Sequence, residues 1–152
     1  MPRAGTAATI TAVTPSLRYD AEASLLADGR GEAACGDERI VFDASSDPCA
    51  LPCPEHLLAA AFAGCLLTNL ERTATFLRFR YERASVHVVA ERHPSSRRLS
   101  RVEYELRLAT GEPPGRVELL HRDLVRSGPV TSTVAAACTV SGSVAVDSPV
   151  PA

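Results

Sequence analysis

Residues 54–67 read PEHLLAAAFAGCLL, and residues 57–67 within them form the longest apolar stretch of the chain. Pro54 followed by Glu55 is typical of the first turn of a helix, and the amphipathic pattern that continues downstream predicts one long helix over residues 54–80. The first half of this helix is apolar on almost every side, which indicates that it is buried on every side. One small sheet cannot cover such a helix, so we expect a second subunit to cover the remainder.

Strand patterns lie on both sides of this helix. Apolar and polar residues alternate at residues 17–25, 86–90 and 102–108, and shorter apolar segments at residues 40–42 and 144–146 also predict strands. Such alternation is typical of a sheet with one buried and one wet face, which favours antiparallel pairing. Two shorter helices are predicted at residues 116–127 and 130–137. The order of elements predicts an α+β fold with antiparallel sheets packed around the long central helix.

The size and charge of the chain exclude several classes of protein. It has 152 residues, 45% of them hydrophobic, which is enough for one domain with its own core. We expect a single domain over residues 1–152 with a disordered tail at residues 148–152. The net charge of −2 provides no basic surface for nucleic acid. All 16 cationic residues are Arg, which excludes P-loop phosphate binding and Schiff-base chemistry.

The sequence also lacks the signals of membrane proteins. Its longest apolar stretch is too short to span a bilayer, and residues 1–13 lack the apolar run of a signal peptide. We therefore expect a cytoplasmic protein with no membrane partner. No motif predicts a cofactor.

The five cysteines are the main chemical feature of the sequence. An odd number in a reducing compartment argues against a disulfide scaffold and favours one or more reactive thiols. Cys65 lies in the middle of the long helix, and Cys138 follows the last predicted helix. By position alone, both are more simply explained as small core residues. The dipole of its own helix gives Cys65 little help in the middle of that helix.

The other three cysteines, Cys35, Cys49 and Cys53, lie in loop-like segments. Together with His56 they suggest a metal-binding domain as an alternative, although the spacing is irregular for zinc. A Cys–His hydrolase is a further alternative. We rank it lowest, because none of the four histidines lies in a motif typical of a catalytic companion.

The segment PEHLLAAAFAGC at residues 54–65 resembles the helix motif of the OsmC/Ohr family, Pro-Glu-x-Leu followed by small residues and then Cys. The second cysteine in CTVS, residues 138–141, and the Gly-rich DGRG, residues 28–31, also resemble that family. The resemblance extends over residues 17–146. It implies an intertwined α+β homodimer with its active site at the subunit interface, acting as a thiol-dependent peroxidase on organic hydroperoxides.

The resemblance also implies a role for each site residue. Cys65 is the peroxidatic thiol, Cys138 the resolving thiol, and Arg30 with Glu55 the polar pair around the reacting sulfur. A dithiol or thiol reductant returns the enzyme to its reduced state. The chain departs from the family at two positions, with Thr139 in place of the usual Pro and Cys53 in place of the usual Asn.

The implied chemistry is consistent with the residue types. A free thiol with a pKa near 8.5 is mostly protonated at neutral pH, so a cation is needed to favour the thiolate. Without Lys, that cation is Arg or His, and guanidinium remains charged when it is partly buried. The arginines that compete with Arg30 for this role are Arg18, Arg39 and Arg72.

Helix geometry adds a separate inference. Ten residues along one helix separate Glu55 from Cys65 by about 15 Å. If both serve one site, one of them must come from the partner chain of a homodimer. The alternative function is a non-catalytic domain of the same fold, which binds an apolar small molecule at the dimer interface.

Overall fold

A computed structural model describes residues 16–45 and 52–148 as an α+β chain with two three-stranded sheets and three helices. In chain order the elements are β1 (Glu22–Leu25), β2 (Arg30–Cys35), β3 (Glu38–Asp43), α1 (Pro54–Leu77), β4 (Arg83–Glu91), β5 (Arg101–Ala109), α2 (Pro114–Leu124), α3 (Pro129–Ala137) and β6 (Thr139–Asp147). The predicted fold class is confirmed.

The second sheet, formed by β4, β5 and β6, has one parallel pair that the sequence analysis did not predict. β4 pairs antiparallel with β5, but β5 pairs parallel with β6. α2 and α3 connect β5 to β6 and carry the chain back to the end of the sheet at which β5 begins. β6 therefore starts at the same end as β5 and runs parallel to it.

The core lies between this sheet and one face of α1. Phe62, Leu66, Leu70 and Ala74 follow each other at four-residue intervals on α1 and are buried. Such spacing places all four side chains on one face of the helix. Burial of each large side chain contributes about 1.5–3 kcal/mol. β5 and α2 complete this core with the side chains of Val102, Tyr104, Leu106, Leu108, Val117, Leu120 and Leu124.

The long helix ends three residues earlier than predicted. Arg78 adopts the left-handed conformation with φ 51°, and the amide of Phe79 donates back to the carbonyl of Ala74 at 2.8 Å. The Arg116 guanidinium also donates to the carbonyls of Leu77 and Arg78. These bonds satisfy the last carbonyls of α1 and end it there.

The first sheet, formed by β1, β2 and β3, lies away from this core. None of its residues belongs to the buried cluster, and Leu25 (72% exposed), Ile40 (38%) and Val41 (37%) present apolar surface to solvent. The strand predicted at residues 17–25 is shorter than expected, since only Glu22–Leu25 pairs with β2. The sheet is antiparallel throughout, as predicted.

Several expectations lie outside the described residues, namely those on residues 1–13, on Cys49 and on residues 149–152. Among the described residues, no helix is long and apolar enough to cross a membrane.

Candidate active site

Cys65 lies midway along α1, is half-buried and faces the beginning of α3. Its Sγ is 3.9 Å from Oγ1 of Thr131, a fully buried residue in the first turn of α3. The Thr131 hydroxyl has two backbone acceptors within reach, the carbonyls of Val125 at 2.8 Å and Gly128 at 3.1 Å. Because its proton is used by these carbonyls, its oxygen remains an acceptor for the thiol proton of Cys65.

Gly128, the residue before α3, makes this close packing possible. A Cβ at this position would lie 2.4 Å from Sγ of Cys65 and 2.3 Å from Nδ2 of Asn69. Its backbone has φ −110°, which any residue adopts, so the requirement for glycine is the close approach and not the conformation. The backbone at the start of α3 therefore lies directly against the sulfur.

The position of α3 places a second helix terminus beside Cys65, which remains in the middle of its own helix as expected. α3 has nine residues, and no side chain caps its N-terminus. The first-turn amides of a helix have no partner within the helix and form its positive end, which favours nearby negative charge by about 0.3–1 kcal/mol. The helix terminus that lies beside Cys65 is thus that of α3.

Asn69 is a site residue that sequence reasoning missed. It lies one turn after Cys65, is 1% exposed, and donates from Nδ2 to the carbonyl of Leu124 at 2.8 Å. This bond ties α1 to the end of α2 and positions the turn that precedes α3. The available signal was an asparagine on the buried face of an otherwise apolar helix, since a buried amide requires a partner.

Cys138 does not contact Cys65. It directly follows α3, is half-buried, and lies 3.5 Å from the carbonyl of Val134, with which its thiol bonds. It comes seven residues after Thr131, which is about 10 Å along the helix from the end that meets Cys65. Both thiols are free. The two predicted cysteines therefore lie at opposite ends of α3.

Glu55 and Arg30 are not brought to Cys65 within one chain. α1 is continuous from Pro54 to Leu77, so the separation of about 15 Å between Glu55 and Cys65 remains. Arg30 begins β2, is half-exposed, and forms an ion pair with Asp28 at 2.6 Å. Amide and guanidinium bonds from Arg30 hold the pKa of Asp28 below its ordinary value.

The family model described as OsmC-like protein matches residues 46–142. The chain belongs to the OsmC-like family. No curated protein matches this OsmC-like chain.

Solved structures show the same fold at low sequence identity. An OsmC-like protein from Mycoplasma pneumoniae has a TM-score of 0.78 and 16% identity, covering 90% of this chain and 100% of its own. An organic hydroperoxide resistance protein OsmC from Legionella pneumophila has a TM-score of 0.71 and 19% identity. The match covers 86% of this chain and 100% of the Legionella chain. The organic hydroperoxide resistance protein OhrB of Bacillus subtilis has a TM-score of 0.64 and 16% identity, covering 84% and 98%.

A second polar cluster of this OsmC-like chain lies at the start of α1. The Cys53 thiol donates a hydrogen bond to Glu55, and this bond, the backbone amide of Glu55 and the charges of Arg92 and His56 hold the pKa of Glu55 below its ordinary value. Sγ of Cys53 is also 3.0 Å from Nδ1 of His56. No sequence motif marks His56 as a catalytic companion of Cys53, and none places Arg92 near Glu55.

The metal-binding alternative gains no support from the described part of the chain. No group of three or more histidine, cysteine or carboxylate side chains is arranged there to hold a metal ion. Cys35 is exposed at the end of β2, and Cys53 precedes the first turn of α1.

Proposed function

We propose that this OsmC-like protein is a thiol-dependent peroxidase that reduces organic hydroperoxides, with Cys65 as the peroxidatic thiol. One observation carries the proposal: the motif cysteine of α1 is half-buried and lies against the uncapped N-terminus of α3. Family membership supports the assignment, as do the names of the similar proteins from Legionella pneumophila and Bacillus subtilis.

The reaction is a nucleophilic displacement on oxygen. The Cys65 thiolate attacks one oxygen of ROOH and the O–O bond breaks. The products are a Cys65 sulfenic acid and, after proton uptake, the alcohol ROH. A second thiol then condenses with the sulfenic acid, so that a disulfide forms and water leaves. A dithiol finally reduces this disulfide and is itself oxidised.

Cys138 is our candidate for the second thiol. A disulfide requires the two Cα atoms to approach within about 7 Å. Cys138 lies about 10 Å along α3 from Thr131, the residue that contacts Cys65, and its thiol bonds to the carbonyl of Val134, so we propose that the C-terminal end of α3 moves during this step.

We further propose that the active enzyme is a homodimer in which Glu55 and Arg30 complete the site of the partner's Cys65. Two features support this arrangement: the length of α1 between Glu55 and Cys65, and the exposed apolar side chains of the first sheet. A bidentate pair with Glu55 would hold the guanidinium of Arg30 toward the sulfur and the peroxide.

The test is steady-state turnover of cumene hydroperoxide against hydrogen peroxide with dithiothreitol as reductant. Cys65→Ser should abolish turnover, whereas Cys35→Ser, the matched control at an exposed thiol, should retain it. Cys138→Ser should consume one equivalent of peroxide and form no intramolecular disulfide. Full activity of Cys65→Ser would overturn the proposal, and a disulfide from Cys65 to Cys35, Cys49 or Cys53 by mass spectrometry would transfer the resolving role.

A further inference from the structure

We propose that Cys53 and His56 form a second reactive thiol centre, which exchanges with small disulfides. This proposal goes beyond the proposed function, because it assigns chemistry to a thiol that the peroxidase reaction does not use; Cys53 bonds to Glu55, which the proposed dimer brings to the partner's Cys65. It concerns the cluster at the start of α1, where this chain has a cysteine directly before Pro54.

The backbone of the first turn of α1 fixes the relative position of the Cys53 thiol and the His56 imidazole. Cys53 is the residue that precedes α1, and its carbonyl accepts the amides of His56 at 3.0 Å and Leu57 at 3.2 Å. These bonds fix the first turn and place Nδ1 of His56 3.0 Å from Sγ of Cys53. A nucleophile within hydrogen-bond reach of a base is the arrangement by which proteins activate thiols.

The surrounding charges act in both directions. The imidazole of His56 and the positive end of the 24-residue helix α1 favour a thiolate at Cys53, whereas the hydrogen bond to the carboxylate of Glu55 opposes it. Two of these three influences thus favour the reactive form. Cys53 is also partly exposed, so a small molecule can reach its sulfur.

The exchange step balances without any further oxidant. The Cys53 S–H rotates from Glu55 to Nδ1 of His56, which takes its proton, and the Cys53 thiolate attacks one sulfur of a small disulfide R–S–S–R. A new Cys53–S–S–R bond forms as the old sulfur–sulfur bond breaks, and the leaving RS⁻ takes the proton from His56. The products are a mixed disulfide at the start of α1 and one free thiol RSH.

Cys35 provides a matched comparison within the same chain. It is more exposed than Cys53, and its side chain has no hydrogen bond among the residues that the structure describes. If exposure alone set the rate, Cys35 would react first. If the imidazole and the helix end set the rate, Cys53 would react first at low pH, where an ordinary thiol is almost fully protonated.

The experiment uses two full-length proteins, one with Cys53 and one with Cys35 as its only cysteine, the other four being Ser. Each reacts with 2,2′-dithiodipyridine between pH 5.5 and 8. At pH 6, Cys53 should react about tenfold faster than Cys35. An equal or slower rate at Cys53 would overturn the proposal.

His56→Asn separates the role of the imidazole from that of the helix. It should remove most of the advantage of Cys53 and move its pH–rate profile upward, while the rate of the Cys35 protein stays unchanged. An unchanged rate at Cys53 would overturn the role of His56. Peptide mass spectrometry of the unsubstituted chain after brief exposure should find the adduct on Cys53 before Cys35, which keeps the test valid if a variant misfolds. Both single-cysteine proteins lack Cys65, so the result is independent of the peroxidase assignment.

Discussion

Gly128 lies directly against Cys65, and its lack of a side chain allows this close packing. In Gly128→Ala, the methyl group would fall 2.4 Å from Sγ of Cys65, so the start of α3 must move away. We expect a loss of about 1–3 kcal/mol in the free energy of unfolding, measured by urea denaturation, as is typical of overpacking. Iodoacetamide should also alkylate Cys65 with an altered pH–rate profile.

Gly115→Ala is the matched control for this substitution. Gly115 lies in the first turn of α2, and a Cβ there would meet nothing within 4 Å. This variant should be as stable as the original chain or slightly more so, because alanine restricts the unfolded chain. Equal stability of the two variants would show that Gly128 is not tightly packed.

His121 gives the folded chain a pH dependence of its own. Its Nε2 lies 2.7 Å from the Tyr104 hydroxyl, and burial lowers the pKa of His121 and raises that of Tyr104. The unfolded chain therefore takes up the imidazole proton more readily than the folded chain. The free energy of unfolding should fall as pH drops below the ordinary histidine pKa of about 6.5.

His121→Asn should weaken this decline between pH 7 and 5 and cost about 1 kcal/mol at pH 7 from the lost bond to Tyr104. His87→Asn, at an exposed position on β4, should change neither the pH dependence of the free energy of unfolding nor its value at pH 7. Thermal unfolding at a series of pH values measures both. If the free energy of unfolding of His121→Asn falls with decreasing pH as steeply as that of the original chain, His121 is not the source of the pH dependence.

At the scale of elements, the sequence predicted those whose residues follow one simple period. β5 alternates cleanly between apolar and polar residues and β4 does so except at Val89, and the structure has both strands, each extended at its ends beyond the predicted residues. β2 reads RGEAAC, whose small residues carry no alternation, and its Gly31 is required because the Phe42 ring lies across it. The parallel pairing of β6 with β5 depends on a crossover connection, which no local sequence pattern predicts.

The candidate site shows the same limit. The motif cysteine could be found from its helix, but Thr131 and Gly128 reach it from a turn more than 60 residues later. The spacing of residues within one segment does not predict contacts between segments so far apart in the sequence. For the same reason, the contact between Cys53 and His56 could be seen only once the first turn of α1 was in place.

Arg30 and Glu55 connect the element scale to the whole molecule. If Arg30 acts on the partner's Cys65, Arg30→Ala should slow peroxide consumption at least tenfold without loss of stability, because the side chain is half-exposed and pairs only locally, with Asp28. Arg101→Ala, on β5 of the second sheet and paired with Glu91, is the control. Stopped-flow peroxide consumption compares them. An unchanged rate for Arg30→Ala beside a reduced one for Arg92→Ala would transfer the role to Arg92.

The whole molecule should be a dimer with no folded monomer at micromolar concentration. The exposed apolar residues of the first sheet, Leu25, Ile40 and Val41, have no cover within the described chain. Sedimentation should give twice the chain mass of 16.1 kDa. Ile40→Asp (38% exposed) should dissociate it, whereas Val89→Asp (41% exposed) on the outer face of β4 should not. A well-folded species of 16.1 kDa would contradict this expectation.

The separation of the first sheet from the core has a consequence for how the chain opens. β1, β2 and β3 form hydrogen bonds with one another and make few contacts with α1 or with the second sheet. Their amide protons should therefore exchange with solvent in a local opening that leaves the helices closed. Because the partner chain is expected to cover this sheet, the local opening should become rarer as the protein concentration rises.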